Sequence, residues 1–181
     1  MPIYVDILTL AAHAGLGIML LVFTLRLRRW PALYAVLTWP GTLAHELLHY
    51  LAGLVTGARP VSLTIIPREE SGGIWVLGEV AFARLRWWNS VPVGLAPLSL
   101  FPLAAWIAAQ SLALPLFDWS GAGLKQLTVL CVLSAWPSRQ DWAHAWAGII
   151  VVVVMASMSF ALLYLMNPQV VLHILRQWLQ R

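Results

Sequence analysis

Charged side chains are scarce in this sequence. They make up only 10% of its 181 residues, whereas 61% of the residues are hydrophobic. A water-soluble globule of this size needs more polar surface, so we expect lipid to be the main solvent of the chain. The 11 basic residues outnumber the 7 acidic ones, and most of them fall between hydrophobic runs, where they would meet lipid headgroups. This pattern favours a lipid bilayer as partner and argues against a nucleic acid.

Cysteine is almost missing as well. The single residue, Cys131, excludes an internal disulfide framework. The first residues lack the basic start and the small-residue cleavage site of a removable signal peptide, so the first apolar run is expected to remain as a membrane span. Tryptophan, in contrast, is abundant, and many of the 11 rings lie near the ends of apolar runs, where such rings anchor a protein at the bilayer boundary.

Apolar runs divide the chain into membrane segments. A helix needs roughly 20 apolar residues to cross the hydrocarbon layer, and the sequence predicts spans at residues 7–25, 31–57, 91–114 and 143–166, with a shorter segment at 124–136. The tail, residues 168–181, is predicted to be an amphipathic helix on the membrane surface. The expected fold is therefore an all-α integral membrane protein with about five membrane-embedded helical segments, forming a single membrane domain over residues 1–181.

Residues 58–88 differ from the rest of the chain. Two stretches rich in β-branched and aromatic residues, 61–66 and 74–87, flank a segment with proline, serine and glycine that favours a turn. We expect a small β-hairpin at the membrane interface, after the second span. Because an unpaired strand edge cannot lie in lipid without hydrogen-bonding partners, this edge must be covered, wet or available to another chain.

The second span contains the motif His45-Glu46-Leu47-Leu48-His49, which has the pattern HExxH. Four residues along an α-helix advance about 6 Å and about 400°, so His49 returns to nearly the same face as His45 and both imidazoles can bind one metal ion. Glu46 lies beside that face, where it can act as the general base of a hydrolytic reaction. Ionisable residues inside a membrane span are costly, so their presence indicates function. Zinc suits two nitrogen ligands with a third ligand and one position left for water.

A third ligand should come from elsewhere in the chain, and Asp141 is the best candidate. It follows the break at Pro137 and precedes the last long span, so its carboxylate would enter the membrane at a depth compatible with His49. Asp at this position can instead serve as a helix cap. His144, on the same helical face, is the alternative ligand or a second-shell partner. The remaining candidates are interpreted as a packing residue, His13, and as interfacial charges, Glu79 and Asp118.

The combination of an HExxH motif in a span, a hairpin after it and a later aspartate in a proline-containing segment resembles the site-2 protease family of intramembrane zinc metalloproteases. The resemblance covers about residues 31–166. It implies that His45, His49 and Asp141 bind zinc, that Glu46 is the general base, and that the chain is a multi-pass protein of a bacterial inner membrane that cleaves membrane-embedded or membrane-proximal protein segments. The family's aspartate motif has an asparagine before the proline and Asp-Gly after it, whereas this chain has Ser134, Pro137 and Asp141-Trp142, which indicates a divergent, minimal member.

Two other functions compete with this prediction. A catalytically silent, metal-binding membrane scaffold would keep the ligands without the chemistry, although the presence of Glu46 beside both histidines speaks against it. A haem-binding membrane protein could use histidines as axial ligands, but His45 and His49 are too close together to serve separate haems. The sequence alone does not identify a substrate-binding residue, although Asn89 and Ser90 are candidates for substrate contact.

Overall fold

A computed structural model describes residues 7–70 and 74–166. The protein is mostly helical. The helices are α1 (Ile7–Arg26), α2 (Pro31–Val55), α3 (Trp87–Leu95), α4 (Leu100–Ser111), α5 (Trp119–Ser134) and α6 (Arg139–Met166); short 3-10 helices at Leu27–Arg29 and Ala96–Ser99 follow α1 and α3. Four strands lie between α2 and α3: β1 (Pro60–Thr64), β2 (Arg68–Glu70), β3 (Ile74–Val76) and β4 (Glu79–Phe82).

Helix α2 runs through Pro40 without ending and stops at a Schellman-type turn. Gly57 adopts a positive φ of 71°, which a glycine tolerates without steric cost. The amide of Ala58 donates to the carbonyl of Gly53 at 2.8 Å. This turn directs the chain out of the helix and into β1.

The predicted hairpin is confirmed, and it consists of two antiparallel strand pairs. The β2 and β3 strands pair at the far end of the hairpin, and β1 pairs with β4 next to the helices. A bulge at Val61 interrupts the pairing of β1 with β4, because Pro60 lies opposite Phe82 and Ser62 lies opposite Ala81. The indole of Trp39 in α2 donates to the carbonyl of Ile65 at 3.2 Å, so the hairpin is fixed against α2.

The buried core lies where α4 and α5 meet α2. It consists of small and medium-sized apolar side chains, namely Leu100, Ala104, Ile107, Cys131 and Ala135, with Ala44, Leu48 and Leu124 packed against them. Helix α1 packs on the other helices mainly through α5. There, the Gln126 amide donates to the Thr24 hydroxyl at 3.2 Å.

Helices α3 and α6 pack with their backbones in close contact. A methyl group at Gly94 of α3 would lie 2.6 Å from the carbonyl oxygen of Asp141 and 3.2 Å from Ala145 of α6. A methyl group at Gly148 would overlap the Trp87 carbonyl. Small residues of this kind allow helices to approach closely where lipid gives no hydrophobic driving force.

The helical segments differ from the predicted spans in three places. The predicted span at 91–114 corresponds to the apolar segment Trp87–Ser111. Within it a 3-10 turn that contains Pro97 separates α3 from α4, because proline cannot donate the helical hydrogen bond of its position. The short segment at 124–136 begins earlier, at Trp119, where Asp118 caps the helix by accepting from two backbone amides. The last span begins at Arg139 and not at residue 143. The predicted surface helix at 168–181 lies outside the described residues.

Within residues 7–70 and 74–166, three segments are long and apolar enough to cross a membrane: Ile7–Arg29, Trp87–Ser111 and Arg139–Met166. The helix that carries the HExxH motif is not among them. Helix α2 contacts α3, α5, β1 and β4, so protein covers much of its surface. A polar motif can be accommodated there at lower cost than on a lipid-facing helix.

Candidate metal centre

Helix α2 directs both histidines of the motif towards one point. The two rings are in edge contact, with centroids 4.7 Å apart, and their Nε2 atoms are separated by 3.1 Å. His49 is buried and His45 is nearly so, with 13% of its side chain exposed. The i, i+4 spacing therefore places the two imidazoles together, as the sequence predicts.

Asp141 reaches the same point from the first turn of α6. Its Oδ1 lies 3.1 Å from His49 Nε2, and its Oδ2 lies 3.5 Å from His45 Nε2. The carboxylate also accepts a hydrogen bond from the Ser138 amide at 2.6 Å, while the Asp141 amide donates to the Ser138 hydroxyl at 3.2 Å. This reciprocal pair is a capping box. Asp141 is thus a helix-capping residue and a neighbour of both histidines at once.

Backbone carbonyls fix the orientation of both imidazoles. The Nδ1 atom of His45 lies 2.6 Å from the Ser134 carbonyl oxygen, and the Nδ1 atom of His49 lies 2.7 Å from the Val93 carbonyl oxygen. A carbonyl oxygen can only accept, so each Nδ1 carries the hydrogen and donates it. In the neutral imidazole the Nε2 atom then presents a lone pair. Such second-shell bonds are typical of histidines that bind metals.

The three ligand atoms fit a metal ion. Two imidazole nitrogens and a carboxylate converge within 4.8 Å of one another, an arrangement that either a bound metal ion or a proton on an imidazole can stabilise. A tetrahedral ion with bonds of about 2.0–2.2 Å places its ligand atoms roughly 3.3–3.6 Å apart. Here the Nε2 atoms of His49 and His45 are 3.1 Å apart, and they lie 3.1 and 3.5 Å from the Oδ1 and Oδ2 atoms of Asp141, respectively. His45, His49 and Asp141 can therefore hold a metal ion.

Glu46 is buried beside this group and faces the hairpin. Only 8% of the residue is exposed. A methyl group at Gly78, in the link between β3 and β4, would lie 2.8 Å from Glu46 Oε1 and 2.6 Å from its Cγ. The absence of a side chain at Gly78 thus allows the hairpin backbone to pass directly over the Glu46 carboxyl group.

Two cavities meet at His45 and Glu46. The first, of about 280 Å³, contains the three ligand residues and His144, and extends towards β4 at Glu79, Val80 and Phe82; we call it the metal-side cavity. The second, of about 420 Å³, extends along α2 past Thr42, Thr38 and Tyr34 and is also lined by Arg139, Trp75 and Trp136; we call it the Arg139 cavity. A ligand could therefore lie across Glu46 and occupy space on both sides.

The other predicted residues occupy different positions. His144 lines the metal-side cavity but is not one of the three grouped ligands. Glu79, predicted as an interfacial charge, lines the same cavity and pairs with Arg68 at 2.5 Å. It therefore also belongs to the surroundings of the candidate site. His13 is buried in α1, apart from this group.

Asn89 and Ser90, which the sequence suggested as substrate contacts, are buried and used internally. The Asn89 side chain bonds to the backbone of Arg86 and Arg84 at the start of α3. The Ser90 hydroxyl donates to the Trp87 carbonyl. Neither residue lines the two cavities.

Three features of the site were not predicted. These are Gly78 and the carbonyls of Ser134 and Val93. The carbonyls lie 89 and 44 positions from the histidines that they orient, so no local pattern indicates them. The sequence shows a glycine between two apolar stretches at position 78, but it does not indicate that this glycine contacts Glu46 in the folded protein.

No protein-family model, curated protein or solved structure matches the chain.

Proposed function

We propose that this protein is an integral membrane zinc metalloprotease, similar to the site-2 proteases, that hydrolyses peptide bonds of membrane-embedded or membrane-proximal protein segments. The observation that carries the proposal is the approach of the Asp141 carboxylate to the Nε2 atoms of His45 and His49. Two histidines one helical turn apart are common in packed helices. A carboxylate delivered to both of them from a distant helix, beside a buried glutamate, is the arrangement of a hydrolytic metal centre.

Zinc is the ion that this donor set favours. Imidazole nitrogens with one carboxylate suit zinc, and three protein ligands are typical of catalytic rather than structural sites. A zinc ion held by His45, His49 and Asp141 would supply Lewis acidity and lower the pKa of a bound water to about 7.

Glu46 is the proton carrier in this proposal. It is not one of the three ligands, and it lines both cavities next to His45. A carboxylate there can accept the proton of an attacking water and then donate it to the leaving amine of the cleaved peptide. Only 8% of Glu46 is exposed, which limits its contact with bulk water.

The hairpin offers a way to hold the substrate. A transmembrane helix conceals its peptide bonds in its own hydrogen bonds, so a protease must bind it in an unwound form. Residues Glu79, Val80 and Phe82 of β4 line the metal-side cavity. An extended substrate segment could pair with the edge of this strand while its scissile bond lies near Glu46.

The three apolar segments among the described residues support a membrane setting. We infer a multi-pass protein, and the family resemblance supports a bacterial inner membrane as its location. The apolar residues of α6 beyond Gly148 are largely exposed, among them Val153, Met158 and Leu165, which suits a lipid environment.

Elemental analysis combined with a cleavage assay tests the proposal. Purified wild-type protein should contain about one zinc ion per chain, and Asp141→Ala should lose it. Glu69→Ala, which removes an exposed carboxylate away from both cavities, should retain it. Glu46→Gln should retain zinc while cleavage of membrane-embedded reporter segments falls by roughly 100- to 10,000-fold.

Other results would favour the alternative functions. A zinc-loaded wild type whose phenotype is unchanged by Glu46→Gln would indicate a metal-binding scaffold. A Soret absorption band in the purified protein would indicate haem. A zinc content that Asp141→Ala leaves unchanged would contradict the ligand set.

A further inference from the structure

The two cavities extend from Glu46 in opposite directions along α2. The metal-side cavity continues past His49, whereas the Arg139 cavity follows Thr42, Thr38 and Tyr34, which are spaced one helical turn apart towards the start of α2. The hairpin covers both, through β4 on one side and through β3 and Leu77 on the other. An extended peptide with its scissile bond near Glu46 would therefore place neighbouring residues in each cavity.

The charge of the two cavities differs. The metal-side cavity contains the carboxylates of Asp141 and Glu79, besides Glu46. Among the described residues that line the Arg139 cavity, Arg139 is the only cationic side chain and Glu46 the only carboxylate. Ion pairs between residues 7–70 and 74–166 join His45 and His49 to Asp141, and Arg68 to Glu79. The guanidinium of Arg139 thus has no carboxylate partner in this part of the chain.

Thr42 adds a second free donor to the Arg139 cavity. Its neighbour Thr38 uses its hydroxyl within the helix, donating to the Tyr34 carbonyl at 2.8 Å. The hydroxyl of Thr42 makes no comparable bond among the described residues, although Thr42 is only 9% exposed. Among the described residues, His13 Nδ1 is the only fully buried side-chain polar atom without a partner, so the Thr42 hydroxyl opens into the cavity. There it can donate a hydrogen bond to a ligand.

We propose that the Arg139 cavity is a substrate subsite that selects an acidic side chain at one position next to the scissile bond, with Arg139 as the specificity-determining residue. Arginine presents a planar set of donors that matches a carboxylate in two parallel hydrogen bonds, and Thr42 offers a further donor. The aromatic rings of Trp75 and Trp136 would cover the aliphatic part of the bound side chain. This inference rests on the proposed protease function.

A cleavage profile tests this subsite. Wild-type protein, reconstituted in liposomes with its zinc, is given peptides that share one apolar core and vary a single position on either side of its centre; mass spectrometry records the cleaved bonds. At one fixed position relative to the cleaved bond, Glu should be preferred over Gln by about tenfold, the effect expected for a charge-assisted hydrogen bond. Arg139→Lys should keep the preference for Glu, and Arg139→Glu should shift it to Lys.

Arg84→Glu is the matched control, because Arg84 is exposed and lines neither cavity. It makes the same change in charge and should keep the wild-type profile. A wild type that cleaves without any acidic preference would overturn the subsite but not the protease. An Arg139→Glu variant that keeps zinc and the wild-type profile would do the same. A zinc-loaded wild type that cleaves no peptide would overturn the protease function, and the subsite with it.

Discussion

Gly78 leaves the room that the Glu46 carboxyl group occupies. Changing Gly78 to Ala would place a methyl group 2.8 Å from Glu46 Oε1, so either the hairpin must rise or the carboxylate must turn away. A displacement of about 1 Å at a catalytic group can cost roughly 100-fold in rate. We therefore expect Gly78→Ala to lower cleavage of a membrane reporter by about that factor and to leave the zinc content unchanged.

Gly123→Ala is the control for this substitution. A methyl group at Gly123 in α5 would meet no atom within 4 Å, so this variant should cleave at the wild-type rate. If Gly78→Ala also kept full activity, the contact between the hairpin and Glu46 would have no role in catalysis.

For Asp141 the sequence left two roles open, a metal ligand and a helix-capping residue. A capping aspartate and a metal ligand have the same local sequence pattern, since both occur at the first turn of a helix after a break. In the structure one carboxylate does both, because Oδ2 accepts from Ser138 while Oδ1 points to His49. The capping bond restricts the rotation of the side chain and thereby favours its approach to the histidines.

At the scale of elements, the contact between α3 and α6 determines where Asp141 lies. The carbonyl that orients His49 belongs to Val93 of α3, and the neighbouring Gly94 touches the Asp141 backbone. Gly94→Ala would force the two helices apart, because backbone atoms cannot yield as a flexible side chain can. We expect zinc affinity to fall by roughly 10- to 100-fold, as for other changes in groups that orient ligands, in a competition titration with a chromophoric chelator.

Gly15→Ala in α1 serves as the comparison, since its methyl group would lie in open space. Equal zinc affinities for Gly94→Ala and Gly15→Ala would mean that α3 does not control the position of Asp141.

Strand β4 makes a separate prediction for substrate binding. Val80 lies opposite Leu63 and lines the metal-side cavity, whereas Val61 is the bulged residue without a partner. Proline removes a backbone donor, which a bulge tolerates and a paired strand does not. Val80→Pro should reduce cleavage strongly with zinc retained, and Val61→Pro should have little effect. Equal cleavage by both variants, measured with one reporter, would exclude pairing of the substrate with β4.

The sequence predicted the elements that depend on a local residue pattern. It did not predict the contacts that depend on how separate elements pack together. The HExxH spacing fixes a face of one helix, and β-branched residues around a turn fix the hairpin. The break between α3 and α4 could be inferred from Pro97 but was outweighed by the length of the apolar run. The close approach of Gly78 to Glu46 and of Gly94 to Asp141 depends on how separate elements pack, which no spacing rule specifies.

At the scale of the whole molecule, the candidate ligands join two distant parts of the chain. His45 and His49 belong to α2, and Asp141 belongs to α6. A bound zinc ion would connect these helices, and it would stabilise only the folded protein, in which all three ligands meet. Metal binding should therefore be visible in the stability of the entire fold as well as in activity.

Removing the metal tests this connection. At a free zinc concentration about 100 times the dissociation constant, binding stabilises the fold by about 2.7 kcal/mol, which corresponds to a shift of roughly 5–10 °C in the unfolding midpoint for a chain of this size. A chelator should lower the midpoint of the wild type by that amount in a thermal unfolding experiment and leave that of His49→Ala nearly unchanged, because the variant has already lost the ion. A chelator that lowers both midpoints equally acts elsewhere, and α2 and α6 would then not share a metal ion.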